Sequence, residues 1–190
     1  MHRKTQCLVE RYLAYFPQES GRLDLLQRQL ANDPAVFLRS NMTGHVTSSA
    51  AVLSPEGSRI LLIHHRFLNK WLTPGGHYEG QDGLLASALR EVEEETSVAD
   101  AAAHYWTLAG GIPLDIDCHP VPPRPEKGEG AHVHHDFLFL AVAPVDDNLQ
   151  AQLSEVNAAV WAPVSGLRKS SDRRVLLLHD KLTRLGTISE

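Results

Sequence analysis

Gly75-Gly76-His77-Tyr78-Glu79-Gly80-Gln81-Asp82, then residues 83–89, then Arg90-Glu91-Val92-Glu93-Glu94-Glu95-Thr96-Ser97-Val98, decide how this chain is read. Leu85, Ala88, Leu89 and Val92 recur at i, i+3, i+4 and i+7, so residues 82–96 are expected to form a helix with one buried stripe. Asp82 stands where that helix should begin, and its carboxylate can cap the N–H groups of the first turn. At about 100° per residue, Glu91, Glu94 and Glu95 share an arc beside the stripe, while Glu93 points elsewhere. Three neighbouring carboxylates repel one another, and they sit at the helix end whose dipole disfavours negative charge. Charge runs are usually solvated surface, but a glycine turn precedes this one at close range. A hard divalent cation such as magnesium would bind the three and keep waters for a phosphate-bearing ligand. The Pro74-Gly75-Gly76 turn can bring a backbone carbonyl to the same spot, because glycine has no Cβ in the way.

The stretch resembles the Nudix box, whose pattern is Gly, five residues, Glu, seven residues, Arg-Glu-aliphatic-any-Glu-Glu-any-Gly-aliphatic. Gly76, Arg90, Glu91, Val92, Glu94, Glu95 and Val98 match in register. Asp82 replaces the family's Glu and Ser97 its last Gly. Ser97 is expected in a left-handed conformation that costs a non-glycine residue about 1–2 kcal/mol. The late stretch Trp161-Ala162-Pro163-Val164 also resembles a strand of the family.

The resemblance implies an α+β fold, a Nudix-type α/β/α sandwich around a mixed sheet. It implies magnesium-dependent hydrolysis of a phosphoanhydride bond in a nucleoside diphosphate linked to another moiety (ADP-ribose, a nucleotide sugar or a nucleoside triphosphate), with release of a nucleoside monophosphate. Gly76, Glu91, Glu94 and Glu95 would hold Mg2+, with Mn2+ as substitute. Glu91, Glu94 and Arg90 would be the catalytic set, Arg90 holding the glutamates by charge-assisted bonds. The general base is left open among Glu94, Glu126 and Glu129. The alternative is a catalytically inactive Nudix-fold module that binds nucleotides or regulates; such modules lose box glutamates or gain a basic segment, and this chain does neither. A prenyl-diphosphate isomerase of the superfamily is a further alternative, but no matching motif surrounds Cys118. Pro113, fifteen residues after Val98, stands near a proline associated with ADP-ribose hydrolases.

Residues 5–16 and 20–30 show apolar residues at helical spacing, ended by Pro17 and by Asn32-Asp33-Pro34. Residues 1–40 therefore read as an N-terminal helical hairpin packed on a main domain at 41–190. Strands are expected over 45–53, 59–65, 131–142 and 157–164, with 103–117 strand-rich and broken at Gly110-Gly111. Residues 119–130 read as a loop able to cover a substrate, and 171–185 as a closing helix. His132, His134 and Asp136 alternate along their strand and share one face. His134, Asp136, His77 and Glu79 are candidate substrate contacts, and the spacing also allows a His132/His134/Asp136 zinc site. His64, His65 and Arg66 are weaker anion or base contacts.

A formal charge of −5 over 190 residues argues against broad nucleic-acid binding, and low basic content also disfavours an RNA-cap substrate. A small nucleotide remains the expected partner; a homodimer is left open. Two cysteines make no disulfide framework, no apolar run could span a bilayer, and residues 1–16 lack the apolar core of a signal peptide. A cytoplasmic, membrane-free location is expected.

Overall fold

A computed structural model describes residues 1–80, 83–152, 154, 156–170 and 173–188. Its centre is β1 (His45–Leu53), buried along its whole length. Helices can approach closely because its middle is Ser48-Ser49-Ala50-Ala51. β1 runs parallel to β7 (His132–Val142), pairing His45 with His134, Thr47 with Asp136 and Ala51 with Leu140. On its other edge β1 changes partner. Thr47, Ser48 and Ser49 face β4 (Gly75–His77), whereas Leu53 faces Ile60 of β2 (Arg59–His65). The sheet is mixed, ordered β3-β2-β1-β7-β5 with β3 at Lys70–Leu72 and β5 at Ala102–Ala103. β6 (Asp115–Val121) pairs with β7, and β8 (Val156–Pro163) with β2.

Helices cover both faces. On one lie α1 (His2–Tyr15), α2 (Asp24–Asn32) and α3 (Leu84–Thr96), whose Val9, Leu26, Ala88 and Val92 share a core with Val46, Ala50 and Phe137. On the other lies the C-terminal helix (Arg173–Arg184), whose Leu178 and Leu182 pack with Ala51, Ile60 and Leu140. The α/β/α arrangement expected from the sequence is present, and the N-terminal helices share the core of the sheet.

Three local expectations change. Residues 103–117 are not strand-rich: α4 (Tyr105–Gly110) intervenes, with His104 Nδ1 accepting from Trp106 N at 3.3 Å and Gly111 closing it at φ 55°. The Thr107 hydroxyl anchors this helix to the Leu140 carbonyl at 2.8 Å. Residues 119–121 are strand rather than loop, since β6 borders only β7 and an edge strand tolerates Pro120. Pro17–Leu23 is a 3-10 helix, so the second α-helix starts at Asp24 rather than at residue 20. Numbering the C-terminal helix α5, the order in the chain is complete. Among the described residues, no helix is long and apolar enough to cross a membrane.

Candidate active site

The stripe of α3 is not quite the one its spacing suggests. Leu84, Ala88 and Val92 are buried, Leu85 and Leu89 only partly, and the stripe ends on Glu95, which is 3% exposed. Glu95 Oε2 accepts from Gly75 N at 3.0 Å. α3 begins after Gly83, and the expected Asp82 cap lies outside the described residues. It ends on Ser97 at φ 62°, the left-handed position expected for it.

Backbone forces a glycine at position 75, while Gly76 leaves room for the Glu91 carboxylate. A Cβ at Gly75 would collide with Ser49, and one at Gly76 would lie 2.5 Å from Glu91 Oε1. Arg90 ties the carboxylates together: it donates to Glu94 Oε2 at 2.5 Å, to Glu91 Oε1 at 2.7 Å and to the His77 carbonyl at 3.3 Å. Burial pushes the Glu91 carboxyl above its ordinary range, with Arg90 opposing and Glu94 adding to the rise. Glu79 stands 3.9 Å from Arg90 Nη1, and the structure does not bring it to the cavity wall.

A cavity of about 870 Å³ opens on the α5 side of the sheet and meets the carboxylate end of α3 at Gly75, Gly76 and Glu95. Arg39, Arg66, Lys70, Arg124, Lys127 and Arg174 line it, although the chain as a whole is acidic. Arg124 stacks over Phe67 at 4.1 Å, bringing the expected covering loop onto the turn after β2. His65 and Arg66 also line the cavity, whereas His64 packs edge-on against Trp71 with ring centroids 5.1 Å apart.

His77, His134 and Asp136 line the cavity. Asp136 accepts from Thr47 Oγ1 at 3.0 Å and Ser49 Oγ at 2.5 Å. Burial nevertheless raises its pKa. The ligand atoms of His132, His134 and Asp136 do not converge as a set. Among the described residues, the group able to converge on an ion is His45, His77 and His134. Burial and neighbouring positive groups hold His77 near pKa 3 and His134 near 2, so both are neutral.

Reading the sequence missed His45, Thr47 and Ser49 on β1, and Asp117 and His119 on β6. On β6, Asp115, Asp117 and His119 alternate with Ile116 and Cys118, whereas the run Thr47-Ser48-Ser49 hides the alternation of β1. The period-two signal of β6 could have found its pair. Burial pushes the Cys118 thiol up to about 12, which favours its protonated form, and Sγ lies 3.1 Å from His135 Nδ1.

A family model described as a NUDIX domain matches residues 44–180. The chain belongs to the Nudix hydrolase superfamily, a class of pyrophosphohydrolases acting on acid anhydrides. It is 27% identical over 128 residues to a probable DHNTP pyrophosphohydrolase of Lactococcus lactis, covering 67% of this chain and 71% of that protein. It is 28% identical over 166 residues to the human m7GpppN-mRNA hydrolase NUDT17, covering 77% of this chain and 49% of the relative, so it spans about half the length of that protein. Its fold is similar to that of a Caenorhabditis elegans Ap4A hydrolase, with TM-score 0.53, 15% identity, and coverage of 74% of this chain and 96% of the other. A Clostridium perfringens hydrolase of the family gives TM-score 0.54 and 17% identity, with 74% and 97% covered.

Proposed function

We propose that the protein hydrolyses, with magnesium, a phosphoanhydride bond in a nucleoside diphosphate linked to another moiety, and releases a nucleoside monophosphate. The junction at Gly75 and Gly76 carries the reading: Glu91 lies against Gly76, Glu95 accepts from Gly75 N, and both glycines and Glu95 line a cavity that also carries six cationic side chains. The donor set suits the ion. Glu91 and Glu94 are drawn side by side by one guanidinium, and the raised proton affinity of Glu91 is what a hard cation would relieve. Glu91, Glu94, Glu95 and the Gly76 carbonyl would hold magnesium, and manganese suits the same oxygens. When bound, the ion supplies charge neutralisation on the diphosphate and a more acidic water.

The residues do the rest. Arg90 positions Glu91 and Glu94. Glu94, with its side chain 47% exposed, accepts the proton of the attacking water. The water oxygen forms a bond to one phosphorus, the bridging P–O bond breaks, and the second phosphoryl group leaves with the bridging oxygen. The basic rim receives the phosphates, and His77, His134 and Asp136 face the substrate from the sheet. The free thiols of Cys7 and Cys118 fit a reducing cytoplasm.

The test is turnover with magnesium on ADP-ribose, nucleotide sugars, dinucleoside polyphosphates and nucleoside triphosphates. Dihydroneopterin triphosphate and an m7Gppp cap join the panel because the two relatives are named for them. At least one substrate should yield a monophosphate, and a Glu94→Gln, Glu95→Gln double variant should lose at least about 10²-fold in rate. No turnover on any substrate, with metal still bound, would replace the enzyme by the binding module.

A further inference from the structure

Beside the carboxylate end of α3, five imidazoles crowd the sheet. His134 of β7 touches four other rings, with centroids 4.8 Å from His45, 5.0 Å from His132, 5.3 Å from His77 and 5.7 Å from His119. Strand register brings them together: His45 pairs with His134 across the parallel β1–β7 ladder, and β4 places His77 opposite Thr47. Nothing in the hydrolytic reading uses His45.

The hydrogen bonds decide where the lone pairs point. His45 Nδ1 lies 3.1 Å from the Asn41 carbonyl. A carbonyl only accepts, so Nδ1 carries the hydrogen and Nε2 carries the lone pair. That Nε2 is buried and has no hydrogen-bond partner, on a residue 1% exposed. An orphaned buried acceptor costs about 1–3 kcal/mol. His132 repeats the pattern: its Nδ1 donates to the Gly130 carbonyl at 2.7 Å, and its Nε2 accepts from His134 Nε2 at 3.1 Å, which leaves the His134 lone pair on Nδ1. A backbone carbonyl that fixes one ring nitrogen and frees the other is the usual outer support of a metal-bound histidine.

We propose that His45, His77 and His134 form a three-histidine site for a zinc-class divalent ion, distinct from the Glu91, Glu94 and Glu95 cluster. One nitrogen from each ring already lies within 4.8 Å of the other two. Nitrogens around a tetrahedral zinc ion stand about 3.4 Å apart, so small ring rotations close the site. Imidazole selects a borderline ion, whereas the carboxylates select magnesium. His77 and His134 line the cavity and His45 lies behind them, so a fourth position opens toward the bound substrate. Three protein ligands and one open position are the pattern of a zinc ion that takes water or a substrate oxygen. The ion would thus bind an anionic oxygen of the ligand from the sheet side.

The test titrates cobalt(II) into the full, metal-stripped chain under excess magnesium, following heat and visible absorption. One equivalent should bind with the intense bands of a low-coordinate, nitrogen-bound ion. Glu91→Gln should leave this binding intact. His77→Ala and His45→Ala should weaken it by more than the roughly 10–100-fold typical of losing an outer partner. The partly exposed His77 keeps the test decisive if the buried His45 variant fails to fold. No binding under excess magnesium would overturn the site, as would binding that Glu91→Gln removes and His77→Ala spares. The outcome is independent of turnover, so it stands or falls separately from the hydrolytic reading.

Discussion

At the scale of single residues, the box shows which departures matter. Ser97 sits where glycine would be unstrained, at φ 62°, and its hydroxyl reaches only the Gln150 carbonyl at 3.4 Å. Left-handed backbone costs a side chain about 1–2 kcal/mol, and glycine returns part of that through its greater freedom when unfolded. Ser97→Gly should therefore stabilise the protein by about 0.5–1 kcal/mol in urea unfolding, with turnover unchanged. A loss of stability would show that the Gln150 contact outweighs the strain. Glu95 teaches the opposite lesson. Helical spacing places it beside the apolar stripe, but its carboxylate continues the stripe inward to Gly75 N. The spacing showed that three glutamates cluster. It could not show which one turns inward, because Gly75 reaches α3 through strand pairing.

At the scale of elements, legibility follows the range of the interactions. α3 and β7 were readable because their periods are local. The helix at Tyr105–Gly110 was not: Trp106 and Ile112 suggest strand, and only the His104 cap and the Leu140 carbonyl decide otherwise. The polar lining of β1 acquires meaning from β7, 89 residues away at the Thr47–Asp136 bond. β7 also carries a titration. His135 faces the helical layer, with Nε2 2.8 Å from Gln29 Oε1 and Nδ1 against Cys118. Burial, with the charges of His45 and His119, lowers its pKa to about 4. The unfolded ring takes a proton near pH 6.5, but the folded one resists until about pH 4, so the stabilisation is complete above pH 6.5 and lost as pH falls through that window. Acidification from pH 7 to pH 5 should cost about 2 kcal/mol from this ring. Urea midpoints across that range should fall for the parent protein and fall less steeply for His135→Gln, in which His77 and His134 still contribute; equal slopes would sink the assignment.

At the scale of the molecule, one charged cluster joins distant parts of the chain. Lys181 of α5 donates to Tyr12 Oη at 2.5 Å and Asp115 Oδ1 at 2.6 Å, and pairs with Glu19 at 3.1 Å. Arg22 contacts the same Glu19 and Asp115, and Lys181 lies over the Phe16 ring at 4.2 Å. We propose that residues 1–40 fold as part of this one body, because α1, the 3-10 helix, β6 and α5 meet in this cluster. Removing one partner of a buried set leaves charge uncompensated, so Lys181→Met should cost about 2–4 kcal/mol, partly spared by Arg22. Chemical denaturation measures it, and a change under about 0.5 kcal/mol would place the cluster among inert surface pairs.

The same cluster bears on synthesis. Lys181 lies 169 residues after Tyr12, so the ribosome delivers it long after the helices it serves. Until then Glu19 and Asp115 have Arg22 as the cation they share among the described residues. Chain order therefore brings Arg22 to the cluster well before Lys181. The cluster is completed by one of the later residues to emerge, which makes the closing helix the clasp of a fold that begins at its other end.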